Sequence, residues 1–396
     1  MQPRHMTADA LPAPDAESIA QSGRVAAYIR ERIAEHDGSI SFAEFMQHAL
    51  YAPGLGYYVS GTRKFGEGGD FVTAPEVSPL FGGVVARQVS QVLHQLDDGQ
   101  ICELGAGSGA LAATMLKKLA HLDALPDRYC ILEVSADLTL RQQQVFEEQI
   151  PEYAARVEWL SEMPKDFTGV IIVNEVADAL PVERFTRANG KLQQCRVSVT
   201  NGNFGWVLED APDILAHAVS EVEESIGCAF PDSYRSEICL ALPPWTGDLV
   251  RCLREGQIFL FDYGVTRREY YAPDRNDGWL KCHFRHHIHN DPLVLPGIQD
   301  LTTFVDFTAL ASAAHAAGAT ISGYVSQAHF LLNGGLQEEL ADFASLVAEE
   351  QLELSRQTKI LTLPGEMGEI VKCIGMSRGE ITKPGAFREF DRAHTL

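Results

Sequence analysis

The sequence predicts an α/β fold, a mostly parallel, doubly wound sheet of the Rossmann-like kind. Three observations predict it. Strand-like and helix-like patterns alternate from about residue 98 to residue 174. The run Gly169-Val170-Ile171-Ile172-Val173-Asn174 is the continuous, β-branched type that a sheet covered on both faces requires. A glycine-rich turn, Gly105-Ala106-Gly107-Ser108-Gly109, joins one such strand to the helix that follows it.

The elements follow in order. Residues through about 22 read as a mobile tail and 23–95 as a helical and loop region. In that region Ala26, Ile29, Ile33 and Ala34 recur at helical spacing, and Ser41 or Ser39 is placed to cap a second helix over Phe42–Ala49. Residues 51–83 are rich in glycine, proline and aromatics and read as an ordered loop, and Phe81–Gln95 reads as helix. Residues 96–264 form the expected core, with strands near 100, 128–134, 157–160, 169–174 and 257–262. A hairpin insertion near 190–242 interrupts it: Lys191–Thr200 and Phe204–Leu208 flank the turn Asn201-Gly202-Asn203. Helix is expected over Ile214–Ile226, and a strand or hairpin over Glu237–Leu242. Residues 265–360 read as substrate-side loops and helices interleaved with core elements, irregular at 265–300, then helix Asp306–Ala317, strand Ala319–Val325 and one long acidic helix over 335–356. Residues 361–396 supply a last core strand, Gly368–Met376, and a tail.

Composition bounds the function. The net charge of −22 over 396 residues disfavours a non-specific grip on nucleic acid and is compatible with a basic protein or peptide partner. No apolar run approaches the ~20 residues of a membrane span. No basic-then-apolar leader is visible, the first residues already carry Asp9, Asp15 and Glu17, and eight scattered cysteines suit a reducing compartment, so a cytoplasmic protein is expected.

The glycine turn carries the chemistry. Its spacing, Gly-x-Gly-x-Gly, differs from the Gly-x-Gly-x-x-Gly of dinucleotide sites, and Glu103 precedes it. S-adenosylmethionine has no pyrophosphate but has a cationic amino-acid end that an acid in the turn suits. A second strand ends at Glu133, where an acid can hydrogen-bond a ribose diol. Gly105, Gly107, Gly109, Glu103, Glu133 and Asn174 are therefore the expected cofactor-binding residues. After the buried run come Glu175 and Asp178, and after a later strand Asp262. Carboxylates there can neutralise a planar, forked guanidinium and receive the proton that methylation releases, so these three are the candidate catalytic residues. Asp178 can equally cap a helix, and Asp262 can equally shape the turn at Gly264. The tract Cys282-His283-Phe284-Arg285-His286-His287-Ile288-His289 looks metal-binding, but it lacks a second ligand pair to close a tetrahedral site, and no metal is expected.

Many segments, in one order, extend these motifs. They include Tyr51-Ala52-Pro53-Gly54-Leu55-Gly56-Tyr57-Tyr58, Gly69-Asp70-Phe71-Val72-Thr73-Ala74-Pro75-Glu76, Glu103–Gly109, Glu133-Val134-Ser135, Asn174–Val182, Phe261–Gly264, Gln299-Asp300-Leu301-Thr302, Val305-Asp306-Phe307 and Met367-Gly368-Glu369. With these the chain resembles the MidA-type S-adenosylmethionine-dependent methyltransferases, the family that contains the mitochondrial complex I assembly methyltransferase. The resemblance implies a class I core of seven strands with helical and loop additions. It also implies protein arginine methylation, with a respiratory-complex subunit as the kind of acceptor, and Glu76 and Asp306 on the substrate side. Val176, Ala177, His287 and Phe304 depart from the family pattern, and all four bear on the acceptor pocket rather than on the cofactor. Methylation of a small molecule or another nucleophile, and a cofactor-binding assembly chaperone with little turnover, remain alternatives. A nicotinamide dehydrogenase is disfavoured by the glycine spacing and Glu103.

Overall fold

In the computed structural model, residues 4–5, 11–60 and 72–396 are described. The motif residues Gly69, Asp70 and Phe71 lie outside them, as do residues 1–3 and 6–10 of the expected tail. The chain forms two compact units. One is built from described residues of Met1–Phe71, Ala177–Leu242 and Val265–Asp306, the other from Val72–Val176, Pro243–Gly264 and Phe307–Leu396. Each unit draws on three separate stretches of chain.

The second unit is organised by its sheet. Its strands are β1 (Gln100–Leu104), β2 (Tyr129–Leu132), β3 (Val157–Leu160), β4 (Phe167–Asn174), β5 (Leu253–Val265), β6 (Thr320–Ser326) and β7 (Val371–Arg378). They lie in the order β3-β2-β1-β4-β5-β7-β6. Neighbours are parallel from β3 through β5, and β7 is antiparallel to both β5 and β6. The chain winds outward from β1 to β3, then returns to place β4 on the other side of β1. Strand order thus reverses between β1 and β4, the place where open α/β sheets bind ligands. The apolar run predicted the burial of β4: Val170, Ile171, Ile172 and Val173 are fully buried. Helices Pro79–Leu93 and Ala110–His121 add Phe81, Val85, Val89, Leu111 and Met115 to the same core. Phe261 of β5 meets Phe81 at 5.1 Å and Phe330 at 4.8 Å, both edge-on.

The first unit carries an antiparallel sheet in the order Arg235–Ile238, Glu183–Ala188, Lys191–Thr200, Ser39–Ser41, with Asn203–Asp210 paired to Lys191–Thr200. The hairpin turn uses Asn201 and Gly202, both at positive φ, as a two-residue turn of matching twist requires. Helix Phe42–Tyr51 is capped by Ser41, reciprocated by Glu44.

Several expectations are corrected. The tail does not extend to Ser22, because Asp15 accepts the amide of Ser18 and starts a helix at Ala16 that runs to Glu35. Residues 265–300 are not wholly irregular: Lys281–Phe284 and His287–His289 form a hairpin around Arg285 and His286, both at positive φ. The acidic stretch 335–356 is not one helix. Gly335, in the left-handed region, ends Gln327–Gly334. A four-residue turn Leu336–Glu339 and a 3-10 turn Phe343–Ser345 follow, before helix Ala348–Thr362. The segment after Glu237 turns helical at Leu242–Cys252, and the last core strand begins at Val371, after a helical turn Met367–Ile370. In the acidic stretch, composition indicated helix, but Gly335 in the left-handed region set its limit.

Candidate cofactor and acceptor site

The site in the second unit grows from the carboxyl ends of β1, β2 and β4. After β1, Gly105 (φ 64°), Gly107 (φ 54°) and Gly109 (φ 83°) hold left-handed backbone that favours residues without a Cβ. Each does something different. A Cβ at Gly105 would meet Val176 Cγ2, after β4, at 3.2 Å, so the two strand-end loops touch. A Cβ at Gly109 would press on the Phe146 ring at 2.9 Å, so the third glycine serves packing between helices. Gly107 sits between them, partly exposed. This turn leads directly into helix Ala110–His121, whose N-terminus favours electronegative groups.

The two predicted cofactor acids have opposite surroundings. Glu103 is only 3% exposed, and its Oε2 accepts the Tyr129 hydroxyl at 2.6 Å. Burial pushes its carboxyl up to about 7, against the Tyr129 hydrogen bond and with a smaller push from the Glu133 charge. Glu133 is half-buried at the end of β2. Its Oε1 accepts the Ser135 amide at 3.0 Å and its Oε2 accepts Gln142 Nε2 at 3.0 Å. The same Nε2 donates to the Gly107 carbonyl at 2.9 Å, and Trp159 Nε1 donates to Gln142 Oε1 at 2.8 Å. Gln142 went unread in the sequence. The legible signal was a glutamine at a core position of the Leu138–Gln142–Phe146 stripe, since a buried amide needs partners.

After β4, Glu175 is a non-glycine residue at φ 53°. Its amide donates to the Phe261 carbonyl at 2.9 Å, and its Oε1 lies 3.3 Å from Asn174 Nδ2 and 3.4 Å from the Ala74 amide. A carboxylate held in strained backbone at a strand end is a feature of functional sites. Glu76 stands on the same short helix as Ala74, Ala74–Val77, where its carboxylate reaches back to the Thr73 amide. Asp262 is fully buried on β5, opposite Lys372 of β7, and accepts the Tyr263 amide at 2.9 Å.

Asp178 and Asp306 belong to the first unit. Asp178 lies in the 3-10 turn Ala177–Ala179, buried, and its carbonyl accepts the Thr303 amide at 2.9 Å. The phenols of Tyr51 and Tyr58 stack nearby and bond to the Ala179 carbonyl and to Asp300. Burial, then the charges of Asp300 and Asp178, hold Tyr51 far above the usual phenol range. Asp306 is paired with Arg267 at 2.9 Å. Desolvation opposes the charge on that guanidinium, and Asp306 outweighs it. Among the described residues no group of three or more His, Cys, Asp or Glu is arranged to hold a metal. His289 of the histidine tract is buried, with Nδ1 accepting the Asp291 amide at 3.3 Å. Among the same residues no helix is long and apolar enough to cross a membrane.

The β1–β4 switch point carries three positive-φ glycines, with an acid at the end of the adjacent strand. That is the class I methyltransferase arrangement. Residues 84–325 match the family described as S-adenosyl-L-methionine-dependent methyltransferase, and the chain belongs to that family. It is 30% identical to the Drosophila melanogaster "Protein arginine methyltransferase NDUFAF7 homolog, mitochondrial", over 92% of this chain and 88% of that protein. It is 28% identical to the Danio rerio "Protein arginine methyltransferase NDUFAF7, mitochondrial", over 84% of this chain and 82% of that one. A Burkholderia thailandensis crystal structure with bound S-adenosyl-homocysteine superposes with a TM-score of 0.93 at 39% identity, covering 98% of this chain and 100% of that one. The cofactor of this enzyme is S-adenosylmethionine. The mitochondrial names of the relatives overturn the cytoplasmic expectation. Acidity and scattered thiols report on solubility and redox tolerance, not on address.

Proposed function

We propose that the protein methylates arginine side chains on a protein acceptor, with a respiratory-complex subunit as the acceptor class. The observation that carries the reading is Glu175: a carboxylate in strained backbone at the end of β4, beside the glycine turn's neighbour Val176. The names of the curated relatives support the same chemistry. In this reading Gly105, Gly107 and Gly109 admit the cofactor closely, Glu133 holds its ribose, and Asn174 and Glu103 complete that side. The path β3-β2-β1-β4-β5-β7-β6 is the seven-strand core of the class.

When bound, the cofactor supplies an electrophilic methyl on a sulfonium. Glu175 neutralises and orients the incoming guanidinium so that a nitrogen lone pair faces that methyl. The C–S bond breaks as the N–C bond forms, the thioether leaves neutral, and the proton shed by nitrogen passes to a carboxylate. Asp262 is the further acid of this set in the second unit, and Glu76 stands on its substrate side.

The test is methyl labelling of cell extract from a deletion strain, with purified protein added back. Label should enter protein arginines, and Glu175→Gln should lower that transfer by about 100-fold or more while changing cofactor affinity less than about threefold. Label confined to small molecules would overturn the acceptor. Transfer by Glu175→Gln at the parent rate would make this acid structural.

A further inference from the structure

We propose that Gln142 is a positioning residue that couples the glycine turn to the ribose-binding acid and so makes cofactor recognition depend on the ribose hydroxyls. The proposal rests on the reading of Glu133 as the ribose acid. Gln142 is fully buried in an otherwise apolar helix stripe, between Leu138 and Phe146. A glutamine there costs stability unless its amide is satisfied, and this one is: both Nε2 hydrogens are used, one on the Gly107 carbonyl and one on Glu133.

The orientation is fixed from the far side. Trp159 of β3 offers an indole N–H, which can only donate, so the oxygen of the amide must face it and the nitrogen must face the turn. Phe146 stacks on Trp159 at 5.8 Å and also fills the space against Gly109, which holds the indole and the turn in one packed block. The Ser135 amide and the Gln142 amide therefore hold Glu133 at both oxygens. One side chain thus ties together the ends of the three neighbouring strands β1, β2 and β3. Without it, Glu133 would keep its charge but lose its fixed distance from Gly107.

Two ligands separate positioning from mere stability: S-adenosylhomocysteine and its 2′-deoxyribose counterpart, each titrated calorimetrically into the full-length protein. The parent should prefer the ribose form by about 10-fold or more, the size expected of a hydrogen bond to a charged group. Gln142→Met keeps length and volume but has no amide. It should reduce that preference to within about threefold, chiefly by weakening the ribose form. Trp159→Phe keeps the ring stack and frees the amide to turn over, so it should reduce the preference in the same direction by a smaller factor. Thermal melts identify a variant that does not fold, and Trp159→Phe decides the matter if Gln142→Met does not. If the folded variants keep the parent's preference, with both ligands weakened equally or not at all, the positioning role is overturned. If the parent itself does not distinguish the ligands, the ribose reading of Glu133 fails, and the proposal fails with it.

Discussion

Two buried-side acids show how differently one residue type is used in the two units. Glu133 of the second unit is half-buried and held by two N–H donors in a pose that faces the glycine turn. Glu237 of the first unit is fully buried. Its Oε1 accepts the backbone amides of Trp279 and Leu280 and the Tyr270 hydroxyl, and Gly278 lies against its other oxygen. Burial pushes its carboxyl up, against the charge of Arg184. The first acid is presented, and the second is consumed by its own fold. An acid becomes a ligand-binding group when its partners position it without enclosing it. When they enclose it, it is a fastener between a strand and a loop.

The comparison can be broken in order of expected effect. Gly107→Val should abolish cofactor binding by calorimetry, a loss of more than about 100-fold, because a β-branched residue is strained at φ 54° and occupies the space the ligand needs. Detectable binding at parent affinity would remove the glycine turn from the site. Glu237→Ala should lower unfolding free energy by about 3 kcal/mol, since it strands the backbone amides of Trp279 and Leu280, while the Tyr270 hydroxyl keeps Thr303. Its S-adenosylhomocysteine affinity should stay near the parent value in whatever fraction remains folded. Glu133→Ala should shift the balance: affinity weakens by roughly 1–3 kcal/mol, while the melting temperature falls less than in Glu237→Ala because the Gln142 amide keeps the Gly107 carbonyl. If these two variants exchange their phenotypes, the contrast between a presented and an enclosed acid is wrong.

A pH-dependent effect of similar size concerns Glu103. Its carboxyl is held up to about 7 from the ordinary 4.5, first by burial. Across that window the native state keeps a proton the unfolded chain has lost, so stability falls as pH rises from about 4.5 to 7. Glu103→Gln should abolish this slope, gaining on the parent by about 3 kcal/mol at most above pH 7. Melting curves at pH 5 and pH 8 check it, and an unchanged slope would mean that Glu103 is ionised in the fold.

Much of this was written in the sequence. The apolar β4 run, the Gly-x-Gly-x-Gly turn, the Ser41–Glu44 cap and the Asn201-Gly202 hairpin are local devices, each specified within a few residues by side-chain branching, its absence, or a polar group placed to bond the nearby backbone. Their physics is short-range, so composition and spacing suffice to read them. Only the tertiary structure decided which distant groups share an environment. It buried Glu103 on Tyr129 and brought Gln142 and Trp159 to Glu133. It also paired Arg267 with Asp306, and broke the acidic 335–356 stretch at Gly335. Burial and hydrogen bonding depend on neighbours far along the chain, and it is those neighbours, not the residue's own identity, that set whether a carboxylate is presented, paired or enclosed.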